Sequence, residues 1–124
     1  MDTKSIKIQI TKHIKQSMKT ESPRLNIWYC GITNNELRRK AEHNLKKGLV
    51  SYWKCFDAEN KQNANDVESY FSQKGTKNAP HIGGATSNSK YVYIFKLNNS
   101  YLQKNKGLGG IVITPNDIIN QLFS

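Results

Sequence analysis

Acidic residues are scarce in this chain. Nine Asp and Glu face 19 Lys and Arg among 124 residues, a formal net charge of +10. That balance points to a polyanionic partner, nucleic acid first, although basic surfaces also serve solubility alone. Cysteine is scarcer still. Cys30 and Cys55 are the only two, and they form no CxxC pair. They read as reduced thiols of an intracellular protein, with a single disulfide between them as the lesser alternative. Long apolar runs are missing. No stretch approaches the roughly 20 residues of a membrane span, and the first residues lack the apolar core of a secretory signal. No membrane partner is expected, and a cytoplasmic location is. No internal repeat or low-complexity tract divides the chain. Its length suits one domain with a modest core: an N-terminal helix over residues 1–22, a core over 25–97, and a turn with a helix over 98–124.

What the chain does have is concentrated between Trp28 and His43. Asn26-Ile27-Trp28-Tyr29 follows Pro23 and is rich in strand-forming types. Gly31 is expected to end that strand. Asn34 or Asn35 can cap the helix that follows. Leu37, Ala41 and Leu45 make its one-sided apolar stripe. Arg39 and His43 are four residues apart and share a face away from that stripe. A strand-end tyrosine followed by a helical arginine and histidine can serve phosphate chemistry. The plain alternatives are a core aromatic for Tyr29 and a solvated helix face for Arg39 and His43.

Tyr29-Cys30-Gly31-Ile32-Thr33-Asn34 and Arg38-Arg39-Lys40-Ala41-Glu42-His43 resemble the second half of the GIY-YIG nuclease signature. That superfamily combines a Tyr-x-Gly strand with a helical arginine, often within Arg-Arg-x-x-x-His. Its first tyrosine strand, the GIY half, would stand a short way before Tyr29. Met18 and Lys19 stand there instead, and residues 1–25 hold no tyrosine. The resemblance covers residues 25 to about 75.

Before it, Ile6, Ile10, Ile14 and Met18 recur every four residues, as on a helix, while Ile6, Ile8 and Ile10 alternate, as on a strand. The longer pattern favours a helix over Asp2–Thr20. Lys4, Lys7, Lys12, Lys15 and Lys19 then form its outer side, either simply solvated or part of a nucleic-acid surface. His13 has no evident metal partners and reads as structural. After Gly48, a helix stop, Leu49–Phe56 reads as a central strand covered on both faces, and Asp57–Asn63 as a loop.

A helix over residues 64–73 places Ala64, Val67 and Phe71 on one face, and Glu68 projects from that same face. A buried ionised carboxylate is costly unless it is paired or bound to a cation. A rim lysine or arginine is one solution and a metal ion the other. In the family that Tyr29–His43 resembles, a glutamate on the helix after a strand binds one divalent cation, and the resemblance selects Glu68 too.

Gly75–Ser89 is a long polar loop, and its His81-Ile82-Gly83-Gly84 reads first as a turn. Asn78 and Asn88 are both candidates for the family's late asparagine. Lys90–Leu97 is the clearest strand. Lys106–Gly110 lacks the ending of a phosphate loop and reads as a turn. Ile111–Ile113 suits a short strand, and Thr114-Pro115 starts a terminal helix.

The expected fold is α/β of the α+β kind: a small, largely antiparallel sheet of three to four strands flanked by helices. As the resemblance implies, the function is metal-dependent endonuclease cleavage of nucleic acid, with DNA placed ahead of RNA. Tyr29 would position or deprotonate the attacking water. Arg39 would contact the scissile phosphate, His43 would assist as base or phosphate contact, and Glu68 would hold Mg²⁺ or Mn²⁺. Arg38, Lys40, Lys46 and Lys47 would add nucleic-acid contacts. The alternatives are a binding module without cleavage and, more weakly, a protein-interaction domain. The strand at residues 91–97 is expected beside Asn26–Gly31, in place of the absent GIY strand. It would bring Tyr91 or Tyr93 towards Tyr29 and Arg39.

Overall fold

Ile6, Ile10 and Ile14 are fully buried along one side of the first helix, α1 (Thr3–Met18), as their four-residue spacing requires. In the computed structural model, which describes residues 1–47, 50–78 and 89–98, the Asp2 side chain caps α1 by accepting from the Ser5 amide at 2.7 Å. Left-handed Lys19 closes the helix. A 3₁₀ turn, Leu25–Ile27, leads into β1 (Trp28–Thr33). Gly31 does not end this strand, as its type suggested; it lies inside it.

The Asn35 carboxamide accepts from the Arg38 amide at 3.0 Å and starts α2 (Glu36–Lys47). β2 (Ser51–Asp57) carries a bulge between Ser51 and Lys54, with Tyr52 left-handed at φ 55°. His13 holds that bulge, its Nε2 lying 2.7 Å from the Tyr52 carbonyl oxygen, and its structural role stands. α3 (Lys61–Lys74) begins earlier than the sequence suggested. Asn60 caps it inside the stretch read as a loop, and Gly75, at φ 119°, stops it. β3 (Tyr91–Lys96) completes the sheet.

The order is β1–β3–β2, antiparallel throughout. β3 therefore stands beside β1, as expected, with Tyr93 opposite Gly31. It is also the central strand. Among the described residues β2, expected at the centre, is an edge with mostly exposed or half-exposed side chains. Among the described residues a parallel bridge from Lys77 covers the outer edge of β1. The Cys30 amide donates to the Lys77 carbonyl, and the Lys77 amide to the Trp28 carbonyl, both at 2.9 Å.

Strand alternation divides the core in two. Trp28, Cys30, Phe56, Val92 and Ile94 pack with the isoleucines of α1 and with Ala64, Val67 and Phe71 of α3. Tyr29, Tyr93, Phe95 and Leu97 face the other way, joined by Trp53 and Cys55. Cys30 and Cys55 thus lie on opposite faces and are free thiols, so the disulfide alternative falls. No helix among the described residues is long and apolar enough to cross a membrane. The Gly48 helix stop, the turn at His81–Gly84, Asn88 and everything read into residues 99–124 lie outside the described residues.

Candidate functional site

The aromatic face of the sheet is built on β3. Tyr93 and Phe95 alternate with Val92 and Ile94, so their rings share one side. Tyr29 of β1 stacks on Phe95 with ring centres 5.1 Å apart, and Trp53 of β2 stacks on Tyr93 at 4.7 Å. The Tyr93 ring crosses the backbone of Gly31. A Cβ placed on Gly31 would overlap the Tyr93 hydroxyl, and that overlap is the physical reason for a glycine there.

α2 covers this face, but not with its leucines. Leu37 is 79% exposed and Leu45 88%, and Ala41 is exposed too. The helix turns Arg39 and His43 inward instead. A sheet face bearing buried hydroxyls requires hydrogen-bonding partners more than it requires aliphatic cover. His43 Nε2 lies 2.8 Å from the Tyr93 hydroxyl, and Arg39 Nε donates to the same oxygen at 3.2 Å. Arginine only donates, so the hydroxyl's own proton is available to His43 Nε2. Arg39 Nη1 donates to Glu42 Oε2 at 2.8 Å, which fixes the guanidinium from a second side. The Arg39 side chain is 24% exposed, whereas His43 and Tyr93 are 1% and Tyr29 is 0% exposed.

Burial governs the electrostatics. It raises the Tyr29 and Tyr93 hydroxyls above their ordinary range, against the nearby Arg39 charge, which lowers both. Both are therefore neutral phenols at neutral pH. Arg39 is partly desolvated, but Tyr93, Tyr29 and Glu42 outweigh that and hold it charged. Glu68 is 2% exposed on α3, and burial pushes its carboxyl up to about 7.

The candidates therefore fall into two groups. Tyr29, Tyr93, Arg39 and His43 converge in the α2 layer. Glu68 approaches β1 from the opposite layer, where burial and, after it, the Glu68 charge raise the Cys30 thiol, and that charge also reaches Tyr29. Tyr93 is the tyrosine brought to Arg39. Tyr91 is partly buried opposite Thr33 and Asp57, with Lys90 Nζ 5.3 Å from its ring centre.

Arg38 is exposed and held by Asn34 at 2.7 Å and Glu42 at 3.4 Å. Lys40 Nζ lies 5.9 Å from the Trp53 ring centre, and Lys46 is exposed. The Lys47 side chain lies outside the described residues. Asn78 Nδ2 donates to Ser72 Oγ at 3.3 Å, on the α3 side. Trp53 and Phe95 were not singled out from the sequence. Their signal is two-residue spacing, which places Trp53 and Cys55 on one face and Tyr93 and Phe95 on one face. Among the described residues no group of three or more His, Cys, Asp or Glu could hold a metal ion. Compared with protein-family models, curated proteins and solved structures, the chain matches none.

Proposed function

We propose that the domain binds nucleic acid, DNA first, through Arg39 and cleaves its phosphodiester bonds with the help of a divalent cation at Glu68. The observation that carries this reading is the Tyr93 hydroxyl, hydrogen-bonded to both Arg39 and His43 above Gly31. It supplies the second tyrosine that the GIY-YIG resemblance requires, from a strand late in the chain. Arg39, positioned by Tyr93 and Glu42 and partly exposed, meets a phosphate oxygen from solvent. The neutral phenols of Tyr29 and Tyr93 orient oxygen atoms by hydrogen bonding. His43, 2.8 Å from the Tyr93 hydroxyl, assists as base or phosphate contact.

A cation fits Glu68 because burial disfavours that carboxylate's charge, and a metal ion offsets the penalty. When bound, Mg²⁺ or Mn²⁺ stabilises negative charge on the phosphate and the leaving oxygen.

A second reading is a binding module without cleavage. The burial of both tyrosine hydroxyls beneath α2 favours it. The deciding experiment incubates labelled single-stranded, duplex and branched DNA and RNA with the protein in Mg²⁺, Mn²⁺ or EDTA. Metal-dependent cleavage that Arg39→Ala abolishes and Arg38→Ala retains supports the nuclease. Tight, salt-sensitive binding without cleavage leaves the binding module. Loss in Arg38→Ala but not in Arg39→Ala would overturn the assignment to Arg39 and move the phosphate contact to Arg38.

A further inference from the structure

α1 presents Ile6, Ile10 and Ile14 to the core, and its lysines, with exposed Ile8 among them, to a groove. Lys4, Lys7, Lys12 and Lys15 line an open channel of about 730 Å³ that runs alongside Tyr70 of α3. The channel continues into a narrower recess of about 210 Å³, since Lys15 and Tyr70 line both. The recess has apolar walls, Ile14, Leu25 and Phe71, and a cationic rim, Lys15 and Lys74. Tyr70 is half-buried against Phe71, and Lys7 Nζ and Lys74 Nζ each lie 4.9 Å from its ring centre. The acidic neighbours are few. Asp66 pairs with Lys7 at 2.9 Å, and Glu21 pairs with Lys15 at 3.5 Å from a side chain 91% exposed.

We infer that this groove binds a single nucleic-acid strand, with one unpaired base in the recess beside Tyr70 and the adjoining phosphates on the lysines of α1. The lysines recur on one helix face and so present a row of cations, which a phosphate backbone matches in sign. An aromatic ring with an apolar recess beside it suits the face of a base, and every base has one. A duplex keeps its bases stacked and has nothing to place in the recess. Lys7 and Lys74 shift from the Tyr70 ring to phosphate when a base arrives. None of these residues belongs to the cluster around Tyr93, so the inference holds whether or not the domain cleaves.

The test is fluorescence anisotropy with a short labelled oligothymidylate, an abasic strand of equal length and charge, and the matching duplex. Oligothymidylate should bind most tightly. Tyr70→Ala should weaken it by roughly 5- to 100-fold, towards the abasic strand, and Tyr70→Phe should not. Lys4→Glu combined with Lys12→Glu should weaken every strand and reduce the slope of log affinity against log salt by about 1.4, for two lost phosphate contacts. Both lysines are exposed, so that variant keeps its fold. Equal binding of oligothymidylate and abasic strand, a preference for duplex, or an unchanged salt slope in the double lysine variant would each overturn the inference. If Arg39→Ala removes strand binding and the groove variants do not, the groove is wrong while the Arg39 reading stands.

Discussion

Replacing Glu68 with Gln in metal-free protein should change how stability responds to pH. Burial raises the folded-state carboxyl from its ordinary 4.5 to about 7. The folded chain therefore holds a proton over a pH range in which the unfolded chain has released it. Stability from this group is fully present below about pH 4.5 and is lost as pH rises through about 7. The gap, at about 1.4 kcal/mol per pH unit, amounts to roughly 3 kcal/mol. Glu68 is almost wholly buried, so solvent screening takes little from that figure. Glutamine matches the protonated acid in shape and never ionises. Wild type and Glu68→Gln should thus melt together near pH 4.5 and separate by pH 8, with the variant the more stable. At about 4 °C per kcal/mol for a chain of this length, the separation is of order 10 °C. Circular dichroism melts in EDTA, read as the difference between the two proteins at each pH, cancel the other titrating groups. Mn²⁺ at pH 8 should then raise the wild-type Tm and leave the variant unmoved, since only an ionised carboxylate at this place would hold the cation. Melting curves that stay parallel across the pH range would refute the burial argument, and an equal Mn²⁺ response would remove Glu68 from the metal site.

Gly31→Ala should lower stability by about 1–3 kcal/mol, because the added methyl displaces the Tyr93 ring; an unchanged Tm in a thermal melt would count against the cradle. Tyr93→Phe removes the oxygen between Arg39 and His43 and should cost about 1–3 kcal/mol. It should also flatten the alkaline loss of stability: burial favours the neutral phenol, so its contribution is present below pH 10.0 and is lost above it, as the unfolded chain ionises first. Leu37→Lys with Leu45→Lys should change stability by less than about 0.5 kcal/mol per site, since both side chains are exposed; a cooperative loss of several kcal/mol in chemical denaturation would show that the stripe is covered.

Where the sequence was legible, one periodicity dominated. The isoleucine spacing of α1 and the buried face of α3, Glu68 included, follow directly from a helical repeat with one apolar side. The strand at Tyr91–Lys96 was plain because β-branched and aromatic residues run without interruption, and a strand buried on both faces can be apolar on both. α2 was misread for the opposite reason. Its apolar stripe is real, but the surface it had to cover carries the Tyr93 hydroxyl, and the helix turned the residues that bond it inward. A helix facing a polar aromatic sheet is read correctly only once its partner is known. β2 was mistaken for a central strand because its bulge at Tyr52 breaks the alternation in the same way that two-sided burial does.

Gly31 shows how far such reading can be taken. In a lone strand a glycine marks an end, because it weakens pairing and packs nothing. In an antiparallel pair it also leaves space on the face above it, and a large side chain directly across the ladder can fill that space. Here Tyr93 fills it, and the ring carries its hydroxyl over the Gly31 backbone to Arg39 and His43. Sequence separation does not enter: an antiparallel sheet requires neighbours in register, and β3 inserts between β1 and β2 although it follows both in the chain. No tyrosine precedes Tyr29 in the chain, and β3 places Tyr93 beside it with ring centres 6.1 Å apart. The strand that fills the space was visible in the sequence, whereas Gly31 read as a strand end, and the register that sets it under Tyr93 was what the structure had to supply.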